Sequence, residues 1–404
     1  MSSSFNIVPD TAKRQPQPFE LHVDEGKLHD LKTLLRLSPV GRDAYENQEE
    51  RAGKYGVSRA WLLDAKAVWE RDFDWRKQEG YINSFPNYTA AVTDDTHTFT
   101  IHFVALFSRN PRAIPLALFH GWPGSFLEFL PILSLLRDKY TPETLPYHII
   151  VPSLPGYTLS SPPPLDRDWQ IADTARVMHR LLLSLGFDKY VVQGGDIGSY
   201  VSRTMAVTYP ECLGVHLNFC MMPEPAPGGL HVTELEAKGL KRLDEFMQTG
   251  LSYGQMHAHR PATIGHVLSA SPVALLAWIG EKFSQWSDPA HPLPLETVLA
   301  DVTLYWLTEC FSTCIHTYRQ DFAVPPTKGY FHGQEGLYIK KPMGYSYFSW
   351  ELGPVPKSWA ETSGELVWFK AHERGGHFAA LERPRELLED VEAFLAMEWL
   401  QKEG

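Results

Sequence analysis

From Tyr88 to Met222 short apolar runs alternate with longer stretches of helical period, and few architectures accept that alternation. The runs YTAAVT, FTIHFVALF, PLALFHGW, YHIIVPSLPG, KYVVQGGD and GVHLNFC have the length and residue types of strands, and FLEFLPILSLLRD (126–138) and IADTARVMHRLLLSLG (171–186) lie between them as helices. Val-, Ile- and Leu-rich strands separated by helices imply an α/β fold, with a mostly parallel sheet covered on both faces. After Met222 the alternation stops, and a mostly helical stretch runs to about Gly336. Strand-like pieces then return as LYIKKPMGYSYF and ELVWFKAH, and the helix RELLEDVEAFLAMEWLQK closes the chain.

The expected organisation is therefore a helical N-terminal extension wrapping the core over 1–87, a first part of the core over 88–222, a helical cap over 223–336 and a second part of the core over 337–404. Ser58 is placed to cap a helix whose residues Trp61, Ala65, Val68 and Trp69 share one face. A helical insert that splits a βα series sits over the carboxyl edge of the sheet, where ligands bind in such folds.

A net charge of −11, with no basic run, argues against nucleic acid as a partner. No apolar stretch has signal-peptide or membrane-span character, so a soluble, cytoplasmic protein without a membrane anchor is expected. The four cysteines, Cys212, Cys220, Cys310 and Cys314, are too sparse for a disulfide framework. Cys310 and Cys314 lie four apart but lack a second ligand pair, which favours buried thiols over a metal site.

Three segments carry residues suited to chemistry. In Gly194-Gly195-Asp196-Ile197-Gly198 small residues flank an aspartate between an apolar run and a helical one. That is the layout of the nucleophile elbow of α/β-hydrolases, with Asp where those enzymes usually place Ser. The competing reading is that Asp196 only caps the following helix. His120-Gly121-Trp122-Pro123-Gly124-Ser125 follows PLALF. An HG segment at this place shapes a substrate loop of His120, Gly121 and Pro123, and sets the backbone N–H of Trp122 beside that of Ile197 as an oxyanion hole. A Gly/Pro turn with an aromatic plug and a structural His120 is the alternative. In AHERGGHF a glycine pair gives a flexible loop able to swing an imidazole over the sheet edge, which favours His377 over His372. The spacing is not that of a HExxH zinc helix. The order nucleophile, acid, histidine then asks for an acid after the first strand beyond the cap, which selects Glu351 with Glu335 as competitor.

In order along nearly the whole chain, the motifs PFELHV, WRKQEGYINSFPNY, HGWPGSFLEF, GGDIGS, RPATIGHVLSASPVALLAWIGEKF and GGHFAALERP resemble the epoxide hydrolases of the α/β-hydrolase superfamily. The likeness is to the microsomal-type branch in its soluble, fungal-like form. It implies the roles of nucleophile, acid and histidine for Asp196, Glu351 and His377, and those of two cap tyrosines for Tyr253 and Tyr318. Similar proteins form dimers, so a homodimer is an expectation, and no cofactor or metal is implied.

An aspartate nucleophile itself restricts the reaction. Attack on an ester or amide would give a mixed anhydride, whereas attack on saturated carbon gives an ordinary ester that an activated water can hydrolyse. Epoxides and alkyl halides are the two substrate classes left. Opening an epoxide expels an alkoxide that needs a proton donor, and a tyrosine remains protonated at neutral pH. Haloalkane dehalogenases carry a tryptophan directly after their aspartate, but here that residue is Ile197. The expected function is hydrolysis of small-molecule epoxides to vicinal diols; the rivals are a haloalkane dehalogenase and a catalytically silent ligand receptor of the same fold.

Overall fold

Nine strands form a single sheet in the computed structural model, which describes residues 5–322 and 330–398. In chain order they are β1 (Gln17–Phe19), β2 (Asn87–Asp94), β3 (His97–Leu106), β4 (Ile114–Phe119), β5 (Tyr147–Pro152), β6 (Tyr190–Gly194), β7 (Cys212–Leu217), β8 (Ile339–Trp350) and β9 (Gly364–Gly376). Their spatial order is β1-β2-β3-β5-β4-β6-β7-β8-β9. The pairs from β1 to β5 at one side are antiparallel, and every pair from β5 through β4 to β9 is parallel. Tyr190, Val191 and Val192 of β6 are fully buried, as a strand covered on both faces requires.

Helices α1 (Glu25–Leu37), α2 (Arg59–Arg71) and α3 (Trp75–Asn83) precede β2, and α4 (Leu130–Lys139), α5 (Ile171–Ser184) and α6 (Asp196–Thr208) connect the central strands. Between β7 and β8 come α7 (Glu234–Glu245), α8 (Ser252–His259), α9 (Pro261–Ser269), α10 (Pro272–Gln285), α11 (Leu295–Thr308), α12 (Phe311–Cys314) and α13 (Tyr318–Asp321). α14 (Lys357–Ala360) links β8 to β9, and α15 (Ala379–Glu382) and α16 (Pro384–Leu395) follow. Ser58 does cap α2, accepting the Trp61 N–H at 3.1 Å, and Ala65 and Trp69 are the buried residues of that helix. All four cysteines are buried and free, and among the described residues no single helix is long and apolar enough to cross a membrane.

Two local readings of the sequence need correction. The stretch before Asn87 is not wholly helical: Gln17–Phe19 adds a strand to the sheet, with Gln17 opposite Thr89 and Phe19 opposite Asn87. Pro16 and Pro18 oppose a helix there, and an edge strand of three residues is too short to show a period. The glycine pair before His377 is also not a free loop. β8 runs on to Trp350, pairs it with Gly376, and so draws Arg374-Gly375-Gly376 into β9.

Parallel strands end on one edge, and that topology assembles the site. Trp122 follows β4, Asp196 follows β6, Glu351 follows β8 and His377 follows β9. Helix α6, buried along nearly its full length, fixes the level of Asp196. A Cβ on Gly198 would lie 2.1 Å from the Phe119 carbonyl oxygen and 2.8 Å from that of His120. The helix start can therefore lie against the end of β4 only with hydrogen at that position. Gly198→Ala is expected to cost about 1–3 kcal/mol in urea unfolding, because backbone rather than a flexible side chain must yield.

Candidate active site

Asp196 has φ +46°, a left-handed conformation that non-glycine residues rarely adopt and that costs of order 1–3 kcal/mol. Its carboxylate does not cap α6; Gly195 occupies the cap position. Oδ1 instead accepts the Trp122 backbone N–H at 2.8 Å, and Oδ2 lies 3.2 Å from His377 Nε2. Gly121 permits this approach, since a Cβ there would fall 2.1 Å from Asp196 Oδ1.

The strained turn is held from behind. Ser199 Oγ donates to the Asp196 carbonyl at 2.5 Å and lies 2.9 Å from His332 Nε2. Arg203 Nε donates to His332 Nδ1 at 2.6 Å, and the same guanidinium donates to the carbonyls of Leu337 and Ser363. Arginine has no acceptor, so His332 Nδ1 is unprotonated and its proton sits on Nε2, facing Ser199. Burial, reinforced by the neighbouring Arg203 charge, keeps His332 far below the usual histidine range and hence neutral.

His377 Nδ1 lies 2.6 Å from Glu351 Oε1, which also accepts the Leu352 N–H at 2.6 Å. The His377 and Glu351 side chains are only 2% and 1% exposed, whereas Asp196 is 17% exposed. Burial alone would favour neutral imidazole, but the carboxylates of Glu351 and Asp196 outweigh it and raise His377 well above its ordinary value. The resting arrangement is thus an imidazolium between two carboxylates. The backbone N–H of His377 donates to the Trp286 carbonyl at 2.9 Å, and the indole of Trp286 meets the imidazole edge-on at 5.0 Å. The competitors lie elsewhere. Glu335 is exposed, and His372 stacks on Phe348 with Nε2 2.5 Å from Asp390.

Tyr253 of α8 and Tyr318 of α13 are both buried, with ring centroids 5.6 Å apart and planes at 78°. Trp122 stacks on Tyr253 at 5.1 Å and meets Tyr318 edge-on at 6.0 Å, so both rings stand over the loop that holds Asp196. Burial first, then the proximity of Tyr253 and Asp196, hold Tyr318 far above the ordinary tyrosine value, so it remains a phenol. Ile197 and Pro123 are buried beside Asp196 and Trp122. His120 is a brace: Nε2 accepts the Leu154 N–H at 3.1 Å, Nδ1 faces the Gly121 carbonyl at 3.4 Å, and burial lowers the ring to about 4.

Some neighbours give little sign of themselves in the sequence. Glu128, three residues after Ser125, has the spacing of a capping box. Instead it lines a cavity of about 10 Å³, enough for one water-sized group, together with Asp196, Asn218 and His377. Burial, then the nearby Asp301, raises Glu128 well above the carboxylate range, and burial brings Asp301 to about 7. Lys282 of α10 is 4% exposed and stands over the Tyr253 ring. No group of three or more His, Cys, Asp or Glu among the described residues is arranged to hold a metal ion.

Residues 16–129 match the family model described as epoxide hydrolase N terminus, and residues 114–251 match that of the alpha/beta hydrolase fold. The structure is similar to that of Aspergillus niger epoxide hydrolase, with a TM-score of 0.91 and 50% identity over 97% of this chain and 99% of that one. Juvenile hormone epoxide hydrolase from the silkworm Bombyx mori gives a TM-score of 0.84 at 25% identity, covering 96% of each chain. Epoxide hydrolase 1 of Oryctolagus cuniculus is 30% identical, covering 94% of this chain and 89% of its own length.

The charge arrangement makes its own test. Of the two carboxylates that hold His377 protonated, Glu351 contributes more, so in Glu351→Gln the imidazolium should release its proton at a lower pH than in the unaltered protein. Histidine NMR titration reads this directly, and an unmoved His377 resonance contradicts the pairing.

Proposed function

The chain belongs to the epoxide hydrolase family of the alpha/beta hydrolase fold and is a hydrolase of that kind, and from this premise we propose that it opens epoxides through an ester formed on Asp196. One observation carries the proposal: the Asp196 carboxylate is held between the Trp122 N–H and the His377 imidazole, beneath two buried tyrosines. A carboxylate so held can attack an electrophilic carbon brought between it and the phenols. The inserted helices α7–α13, which supply both phenols, act in this reading as a cap.

In the first step an Asp196 oxygen bonds to a ring carbon while the carbon–oxygen bond of the ring breaks. The electron pair moves to the ring oxygen, which takes a proton from a tyrosine of the Tyr253/Tyr318 pair. The product is a hydroxyalkyl ester. Esterification also removes the negative charge of Asp196, one of the two that hold the imidazolium. His377 then releases its proton more readily and restores the phenol, so the first step prepares the base that the second requires.

In the second step His377, oriented by Glu351, takes a proton from water, and the resulting hydroxide attacks the ester carbonyl. The small cavity beside His377, Asp196 and Glu128 suits that water. Negative charge developing on the Asp196 side-chain oxygen is met by the Trp122 N–H, with the Ile197 N–H as the proposed second donor. Collapse breaks the ester C–O bond, and the departing alkoxide takes the proton of the newly added hydroxyl, which leaves the carboxylate beside the imidazolium and releases a vicinal diol. The four free, buried cysteines are compatible with a reducing compartment, and the cytoplasm is the proposed place of action.

The half-reactions can be separated. His377→Gln should still alkylate Asp196 and accumulate the ester, visible by intact-protein mass spectrometry, with steady-state turnover lowered by about 10³-fold or more. A single turnover of the unaltered protein in heavy-oxygen water should place the label in Asp196 and not in the first diol formed. Label in that diol would mean that water attacks the epoxide directly. Tyr253→Phe and Tyr318→Phe should each slow ester formation, up to about 10²-fold for whichever donates the proton, and leave ester hydrolysis nearly unchanged.

A further inference from the structure

The two tyrosines over Asp196 stand in unlike surroundings. The Lys282 ammonium lies 4.9 Å from the centroid of the Tyr253 ring, 5.5 Å from that of Trp278 and 5.9 Å from that of Trp286. It is held there by Glu281 Oε1 at 2.6 Å, and the Lys282 side chain is 5% exposed against 27% for Glu281. The ion pair therefore presents its positive end to the aromatic rings and its negative end toward solvent. Lysine is among the residues least often buried, and burial works against its charge here, with Glu281 opposing that loss. Among the described residues no cation stands over the Tyr318 ring, and burial, Tyr253 and Asp196 all act to keep its proton in place. Also packed against Tyr253 are His257 on its own helix, Tyr318, Trp122 and Trp286. His257 accepts the Trp278 indole N–H at 3.0 Å and is kept neutral by burial, so Lys282 is the cation on this side of Tyr253.

We propose that Lys282 is an electrostatic positioning residue that makes Tyr253 the proton donor to the epoxide oxygen and leaves Tyr318 to hold that oxygen. The inference rests on the ester mechanism above. As the ring C–O bond breaks and the Asp196 O–C bond forms, the electron pair moves to the ring oxygen and a proton passes to it from Tyr253. The phenolate that develops faces a desolvated cation across its own ring, where attraction is strong because little water screens it. A proton leaving Tyr318 would instead leave a phenolate with no such cation over its ring among the described residues.

The test measures the two half-reactions by rapid quench, with propylene oxide and its trifluoromethyl analogue, whose alkoxide needs less help from an acid. In the unaltered protein the ester on Asp196 should form before diol; if no ester forms, the parent mechanism fails, and with it the premise of this inference. Given the ester, Lys282→Met should slow alkylation by propylene oxide about tenfold and by the trifluoromethyl analogue distinctly less, with ester hydrolysis unchanged and Lys282→Arg restoring most of the loss. Lys282→Met should add nothing in a Tyr253→Phe background and keep its effect in a Tyr318→Phe background. An equal loss with both epoxides, a loss spread over both half-reactions, or full additivity with Tyr253→Phe would show Lys282 to be packing only and overturn the proposal.

Discussion

An imidazolium held between two carboxylates in a nearly dry pocket is the interaction on which the rest of the structure depends. At 2.6 Å from Glu351 and 3.2 Å from Asp196, His377 sits in the field of both, and that field overcomes the burial that would strip its proton. The two acids are not equivalent. Glu351 is sealed and accepts the following backbone N–H, whereas Asp196 is the more exposed and lies on a left-handed turn. Fixity on one side and access on the other is the asymmetry that the proposed roles, a nucleophile and a permanent counter-charge, require.

The scaffold spends its less common features on keeping that line in place. Hydrogen in place of a side chain at Gly121 lets the Trp122 N–H reach Asp196, and Gly198 lets α6 start against β4. Behind the turn, Arg203, His332 and Ser199 form a chain of hydrogen bonds whose direction is fixed by arginine being donor only. The Asp196 carbonyl at its end is a fixed point, and the strain of the turn is held by several bonds at once.

Much of this was legible in the sequence because it is written in short-range pattern. All eight strand-like runs became strands, since alternation of apolar runs with helical periods reflects local burial. Asp196, Glu351 and His377 each follow a strand, and the parallel sheet brings them to one edge, so the place of Glu351 after the first strand beyond the insert and of His377 beyond the glycines was enough to anticipate that the three would meet, where Glu335 and His372 do not. What stayed hidden depends on contacts between distant segments. The brief strand at Gln17–Phe19 exists only because β2 offers it an edge, and Gly375-Gly376 are extended only because β8 reaches Trp350. Glu128 reads as a cap residue until the cavity beside His377 is seen, and Lys282 reads as a polar position on a helix until Tyr253, Trp278 and Trp286 close around it. Tyr253 and Tyr318 were singled out by resemblance, because tyrosine is common throughout the insert and no spacing distinguishes these two.

The carbonyl of Trp286, at the end of α10, receives the backbone N–H of His377, and His332, near the insert's other end, sits against Ser199. The helical insert is thus stapled at two places to the surroundings of Asp196 and His377. On the proposed mechanism, exchanging that segment between relatives to alter which epoxides fit would also swap the anchor of the proposed base and the buttress of the turn at Asp196. Segments that touch neither staple, such as residues 223–233 ahead of α7, are the places where shape can be varied without moving either contact.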